Sequence, residues 1–322
     1  MTTLVTGGSG LVGSHVIEAL RARGEPVRAL VRKEQARGVV LALGAEPVIG
    51  DVTDEESWRR ASAGVDGIVH AAALVQTRSP FAEYQRVNVG GTRLAVEAAR
   101  RANARLVHIS SVAAYGGSSD YRPGVEHRDE DYPFSPIPEH DFYARSKRES
   151  EEVVRRAADA RGLSVIAIRP NVIYGERDRL FTPQLLKFAK LGFLPAIGPG
   201  TNHLSCVYAG NVASATLAAL DRVKPGFRAY NVTGDKPPVL TEREFMAAFG
   251  AALGRRLRRP RLPALPFVIG MSIVQGPRLA RAAHSFVTGE NPYVWDRIRR
   301  ELGWEPPFGT VEAVARSVGR GR

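Results

Sequence analysis

Leu4-Val5-Thr6-Gly7-Gly8-Ser9-Gly10-Leu11-Val12-Gly13 is the stretch that decides the fold. Apolar-leaning positions lead straight into glycines spaced Gly7-x-x-Gly10-x-x-Gly13, and an amphipathic run from Val12 to Arg23 follows. That order reads as a strand, a tight turn and a helix N-terminus. A diphosphate fits such a junction, because the turn presents backbone N–H groups and the helix dipole favours negative charge. Gly7 permits the turn, Gly10 lets the backbone approach phosphates, and Gly13 lets the helix pack close to the sheet. Glycine-rich turns also close ordinary loops. The strand–turn–helix context is what makes a dinucleotide site, with Thr6, Ser9, Leu11 and Val12 around it, the expectation.

Outward from this turn the chain alternates. Pro26–Val31 reads as a second strand, 33–44 as a helix, and Pro47–Val52 as a third strand carrying Asp51. A helix from Asp54 to Ala63 precedes a fourth strand, Gly67–His70, which runs into Ala71-Ala72-Ala73, where bulk would obstruct a cofactor. His70 alone reads as a packed strand-end residue. One long helix is predicted over Phe81–Ala102, containing Asn88, and a fifth strand, Arg105–Ile109, emerges at Ser110-Ser111. Strands alternating with helices demand a parallel sheet wound with right-handed crossovers, and such sheets bind ligands beyond the carboxyl ends of their strands. That rule gathers Gly7–Gly13, Arg32, Asp51, Ala71–Ala73 and Ser110–Ser111 on one rim.

An acidic residue usually ends the second strand where a dinucleotide fold prefers NAD, binding the ribose 2′-hydroxyl. Here the end is Val31-Arg32. A cation there suits the 2′-phosphate of NADP, so NADP is the expected cofactor, with NAD left open. Arg32 pointing into water is the plainer reading.

Residues 112–140 are polar, proline-rich and aperiodic, and loops of that length are functional or disordered. A helix over Asp141–Arg161 then opens with Tyr143-Ala144-Arg145-Ser146-Lys147. Tyr143 and Lys147 are four apart and share a face. Reducing a carbonyl leaves an oxyanion that must receive a proton. A phenol near its ordinary pKa of ~10 is a usable acid and a poor base, and a lysine ammonium one turn away favours the phenolate. Ser111 is placed to hold the carbonyl oxygen. A sixth strand, Ser164–Arg169, ends in Pro170.

Together, Thr6–Gly13, Gly50-Asp51-Val52, His70–Ala73, Asn88–Thr92, Ser110–Gly116, Tyr143–Lys147 and Arg169–Gly175 resemble an extended short-chain dehydrogenase/reductase. The motifs stand in that family's order over residues 1–175. The resemblance implies Tyr143 as catalytic acid/base, Lys147 as its modulator and ribose ligand, and Ser111 as substrate positioner. It also implies Asp51 at the adenine and Pro170 beside the nicotinamide, with Val52, Asn88, Ser110 and Val172 among the cofactor-binding residues. The implied fold is α/β, a Rossmann doubly wound parallel sheet with a smaller mixed C-terminal substrate lobe. Residues 1–170 and 206–234 would form the dinucleotide-binding domain, 171–205 and 235–322 the lobe.

Val207–Ala213 and the ending Val287-Thr288, Tyr293 and Glu301–Pro306 resemble the 3β-hydroxysteroid-dehydrogenase-like branch, and Val27–Arg32 resembles the dihydroflavonol-reductase-like relatives. Nucleotide-sugar epimerases of the family carry a phosphate-binding arginine at the position of Leu204. Phe267-Val268-Ile269-Gly270-Met271 offers apolar surface in the lobe. The expected activity is hydride transfer between NADP(H) and a hydrophobic secondary alcohol or ketone. A nucleotide-sugar epimerase or dehydratase, and a non-catalytic NADP-sensing regulator, are the rivals.

Composition bounds the rest. The 322 residues carry a net charge of +12, nearly all from arginine, with local runs at 255–261 and 316–322. Neither run has the interleaved aromatics of a nucleic-acid stacking platform, so both read as solvated surface and no nucleic-acid partner is expected. No stretch approaches the ~18–20 apolar residues of a membrane span, and no secretory signal precedes the first strand, so a cytoplasmic location is expected. The single cysteine, Cys206, excludes an internal disulfide, and the seven scattered histidines suggest no metal site. The expected partner is a small-molecule substrate; a homodimer is left open.

Overall fold

The computed structural model describes residues 1–75, 79–116, 127–194, 196–222, 224–262 and 284–319. Its centre is a seven-stranded sheet. In chain order the elements are β1 (Thr3–Thr6), α1 (Leu11–Ala22), β2 (Val27–Val31), α2 (Glu34–Ala42), β3 (Glu46–Ile49), α3 (Glu55–Ala61) and β4 (Gly67–His70). Then follow α4 (Phe81–Tyr84), α5 (Gly91–Ala102), β5 (Arg105–Ile109), α6 (Phe142–Arg161) and β6 (Ser164–Pro170). With β10 (Gly226–Val232) at one edge, the strand order is β10-β6-β5-β4-β1-β2-β3, and every pairing is parallel. β1 and β4 are buried at every position, as strands covered on both faces must be.

Two apolar clusters cover the sheet. One joins Val16, Ile17 and Leu20 of α1 to Val212, Ala215 and Leu220 of α8 (Ala209–Arg222), and includes Val5, Val69, Val107 and Ile168. The other joins Trp58, Val96 and Ala99 to Val154 and Ala158 against Leu4, Ile68 and Leu106. Helices therefore lie on both faces of a Rossmann-like sheet, as the alternation predicts. Strand order reverses between β1 and β4, and the crevice at their carboxyl ends is where such sheets bind ligands.

The helix predicted over Phe81–Ala102 is one helical run, but Gln85–Gly90 takes the wider π form. β10 pairs with β6 over its whole length, in register from Gly226↔Ser164 to Val232↔Pro170. After β6 come β7 (Val172–Tyr174), α7 (Thr182–Lys190), β8 (Ala196–Ile197) and β9 (Cys206–Tyr208); β7 and β9 pair with each other outside the main sheet. A third cluster, around Tyr174, Leu194, Leu204, Tyr208 and Phe249, unites β7, α7 and β9 with α9 (Glu242–Ala252) and the helix Thr310–Ser317.

Candidate active site

Gly7 turns the chain out of β1 at φ +70°. A Cβ there would lie 2.8 Å from the Ala72 nitrogen, so the position needs glycine for conformation and for space. The Gly10 N–H donates to the Gly7 carbonyl at 2.8 Å. Gly10 then starts the 12-residue α1 with no side-chain cap and no acid in the first turn. At Gly13 a Cβ would stand 2.3 Å from the Gly7 oxygen. The glycines thus pack turn against helix, and among the described residues no side chain caps the leading N–H groups of α1. This cradle fits a dinucleotide diphosphate.

Thr6 is a staple between strands. Its Oγ1 is 2.8 Å from His70 Nδ1 and accepts the Ala72 N–H at 3.2 Å. That tie holds the small Ala71-Ala72-Ala73 run against the glycine turn. His70 is buried, stacks on His108 with ring centres 5.7 Å apart, and is pushed down to about 3 by burial and then by the Lys147 charge. It is a neutral packed imidazole.

At the far end of the rim, Arg32 lies beyond β2 and Asp51 beyond β3. Asp51 Oδ1 accepts the Thr53 N–H and hydroxyl at 2.9 Å each, while Oδ2 lies 4.0 Å from the Arg32 guanidinium. Arg32 is exposed and loosely held, so its charge is available. Val52 packs on Gly91, and its carbonyl accepts Trp58 Nε1–H at 2.8 Å.

Asn88 sits in the π turn, buried. Its Oδ1 accepts the Leu74 N–H at 2.7 Å, and its Nδ2 donates to the Leu74 carbonyl at 3.1 Å and to Ser146 Oγ at 2.9 Å. The amide is committed to protein partners, and it clamps the loop leaving β4 to α6. Ser110 likewise points away from the rim, donating to Glu151 Oε2 at 2.7 Å.

Ser111 accepts the Ala113 N–H at 3.2 Å and donates to the Pro170 carbonyl at 3.4 Å, joining the ends of β5 and β6. Its hydroxyl also lies near the phenol of Tyr143. Tyr143 stands in the first turn of α6, behind the Asp141 cap that accepts the Ala144 N–H at 3.0 Å. Burial pushes the phenol up to about 12, and the neighbouring Ser111 hydroxyl opposes that rise. Lys147 is buried one turn on, donating to the Ile109 carbonyl at 2.7 Å, with its ammonium 5.9 Å from the Tyr143 ring centre. Burial pushes it down to about 8, against the pull of Glu151. Phenol, hydroxyl and ammonium therefore converge on one point of the rim, beside the buried Pro170 and half-buried Val172.

Beneath this point lies a buried polar network outside the residues of the rim. Arg169 and Glu151 form an ion pair at 1% and 2% exposure, with Arg169 Nε donating to Glu151 at 3.0 Å. Arg169 Nη1 also donates to the Tyr115 hydroxyl at 2.7 Å, which donates to Asn231 Oδ1 at 3.0 Å. A signal existed: Glu151 is four after Lys147, on the same face, and Arg169 is a charge inside an apolar strand. A buried charge in such a strand needs a partner.

In the third cluster Leu204 is 5% exposed among aromatic and aliphatic side chains. The Phe267–Met271 stretch, and Arg320–Arg322 of the terminal basic run, lie outside the described residues.

The model of the NAD dependent epimerase/dehydratase family matches residues 3–233. The chain is 34% identical to the 4-hydroxy-2-methyl-3-oxo-4-farnesyl-3,4-dihydroquinoline-1-oxide ketoreductase of Stigmatella aurantiaca, over 94% of this chain and 92% of the relative. It is 29% identical to the 3-beta-hydroxysteroid dehydrogenase of Mycolicibacterium neoaurum, over 97% of this chain and 89% of that one. The solved Bordetella bronchiseptica enzyme WbmH in complex with NAD+ shares the fold with a TM-score of 0.76, covering 99% of this chain and 97% of that one, at 20% identity.

Proposed function

The chain belongs to the NAD dependent epimerase/dehydratase family, and on that premise we propose that it interconverts a hydrophobic secondary alcohol and its ketone with NADP(H). The observation that carries this reading is the placing of Lys147, buried one turn after Tyr143 with its ammonium 5.9 Å from the phenol ring centre, beside Ser111 at the end of β5.

A bound nicotinamide dinucleotide supplies or accepts the hydride. Gly7, Ser9, Gly10, Leu11, Val12 and Gly13 would hold its diphosphate, Asp51 and Val52 its adenine, and Arg32 a 2′-phosphate. Ala71–Ala73 would leave it room, and Pro170 and Val172 would flank the nicotinamide. Thr6, Asn88 and Ser110 serve this site indirectly, by fixing the β4 loop and α6.

In reduction, the Tyr143 phenol gives its proton to the substrate oxygen while Ser111 holds that oxygen by a hydrogen bond. In oxidation, the phenolate takes the proton back. The buried Lys147 ammonium stabilises the phenolate through space, since a charge acts more strongly in a buried site than in water.

The lobe formed by residues 171–205 and 235–322 would hold the substrate. Leu204 favours an apolar one, since it packs into a hydrophobic cluster at the position where nucleotide-sugar epimerases carry a phosphate-binding arginine. Burial of apolar surface at ~25 cal/mol per Å² suffices to hold a sterol-sized or long β-keto acid ligand. The names of the two relatives, one with a farnesyl group and one for a hydroxysteroid, agree with this. The rival reading, a nucleotide-sugar epimerase, has the family's own breadth in its favour.

Titrating the NADP-saturated protein with sterols and long β-keto acids, and in parallel with UDP- and TDP-sugars, tests the reading. Binding within the lipid panel with cofactor turnover is expected. Micromolar binding of a nucleotide sugar with no response to the lipids would establish the rival.

A further inference from the structure

α7 and the turn after it carry an unusual surface. Leu180, Phe188 and Leu191 are 46%, 42% and 71% exposed, although Phe181, Leu185, Leu186 and Ala189 pack the opposite side of the same segment into the lobe. Gln184, Lys187, Phe188 and Leu191 recur at helical spacing and so share the outer face. The chain 255–258 lies against this turn. Arg255 donates to the Lys190 carbonyl at 3.4 Å, the Arg258 N–H to Gly192 at 3.0 Å, and the Leu194 N–H to Arg258 at 2.9 Å.

The surface thereby collects Lys187, Lys190, Arg255, Arg256 and Arg258, all exposed. Residues 179–194 and 251–262 contain no acid. Elsewhere exposed arginines are neutralised by acids one turn away, as in Arg37–Glu34, Arg59–Glu56, Arg86–Glu83 and Arg156–Glu152. Among the described residues, no carboxylate pairs with any of these five cations. Exposed apolar side chains beside unneutralised cations complement an anionic lipid surface, where apolar side chains enter the headgroup–acyl boundary and cations meet the phosphates. A nucleic-acid backbone would use the cations and gain nothing from Leu180 or Leu191.

We propose that this face seats the enzyme on an anionic lipid bilayer, with Leu180, Phe188 and Leu191 inserted and the five cations around them on lipid phosphates. The proposal is independent of the substrate, and its test uses none.

The full chain is sedimented with vesicles of phosphatidylcholine alone and with vesicles containing phosphatidylglycerol, and its binding to duplex DNA is measured at the same salt. Pelleting with the phosphatidylglycerol vesicles only, weakened by salt, is expected. Lys190→Gln with Arg256→Gln should cut that binding at least tenfold, at about fivefold per cation. Leu191→Ser, which leaves the charge intact, should cut it severalfold. An unchanged melting temperature and NADP affinity in each variant exclude unfolding as the cause. Absence of pelleting, full binding by Leu191→Ser, or tighter binding to DNA than to vesicles would each overturn the proposal.

Discussion

Lys147 gives its ammonium to the main-chain carbonyl of Ile109 at 2.7 Å, and not to the phenol of Tyr143. The ammonium is held by the last residue of β5, two residues before Ser111, so one short segment sets both the hydroxyl and the charge that flank Tyr143. Lys147 therefore acts on the phenol through space. The positive charge is fixed where a phenolate would form, and the neighbouring Ser111 hydroxyl opposes the rise that burial imposes on the phenol.

Tyr143→Phe keeps the ring and removes the proton. Turnover should fall by at least ~10²-fold, while NADP affinity stays within a few-fold of wild type. Single-turnover kinetics beside cofactor titration measures both. Near-normal turnover would place the proton donor elsewhere.

Lys147 makes stability depend on pH in a definite direction. Its folded value of about 8 lies below its ordinary 10.5, so between those values the unfolded chain binds the proton more tightly. The cost of burying the ammonium is complete below pH ~8 and is relieved as pH rises towards ~10.5, by at most ~3 kcal/mol. Lys147→Met should therefore gain stability over wild type near neutrality, and the advantage should shrink with rising pH. Melting curves of both proteins over that window decide; parallel curves would contradict the assignment.

Arg32 is exposed and only loosely paired with Asp51 at 4.0 Å. A charge-assisted bond to a 2′-phosphate at roughly 1.5–3 kcal/mol gives NADP a preference of about ten- to a hundredfold over NAD. Arg32→Ala should erase it and leave NAD binding little changed. Equal wild-type affinities by calorimetry would refute the NADP assignment.

Glu151→Gln leaves Arg169 buried with its charge unanswered. Breaking a buried pair from one side costs about 3–5 kcal/mol, so the variant should melt well below wild type. Because Ser110 also bonds Glu151, β5 should loosen at its rim end, which amide exchange would register as faster exchange near Ile109. An unchanged melting temperature would mean that the pair contributes little.

The doubly wound sheet, the glycine turn and the shared face of Tyr143 and Lys147 were legible in the sequence, because each follows from periodicity or from a steric demand confined to a few neighbouring residues. Gly7 and Gly13 announce a crowded turn by lacking a side chain, and strands alternating with helices can pair only in parallel. The commitments of individual polar groups are another matter. Asn88 and Ser110 stand in motifs near the cofactor rim, but their hydrogen bonds go to Ser146 and Glu151, 58 and 41 residues away. The Arg169–Glu151 pair, the π turn at Gln85–Gly90 and the bare cationic face of α7 arise in the same way. A buried donor takes whichever acceptor the packed chain brings within ~3 Å, and an exposed cation stays bare when the fold brings no carboxylate near it. Sequence determined which elements form and which residues reach the rim; only tertiary packing decided which of those side chains still had a hydrogen bond or a charge to offer.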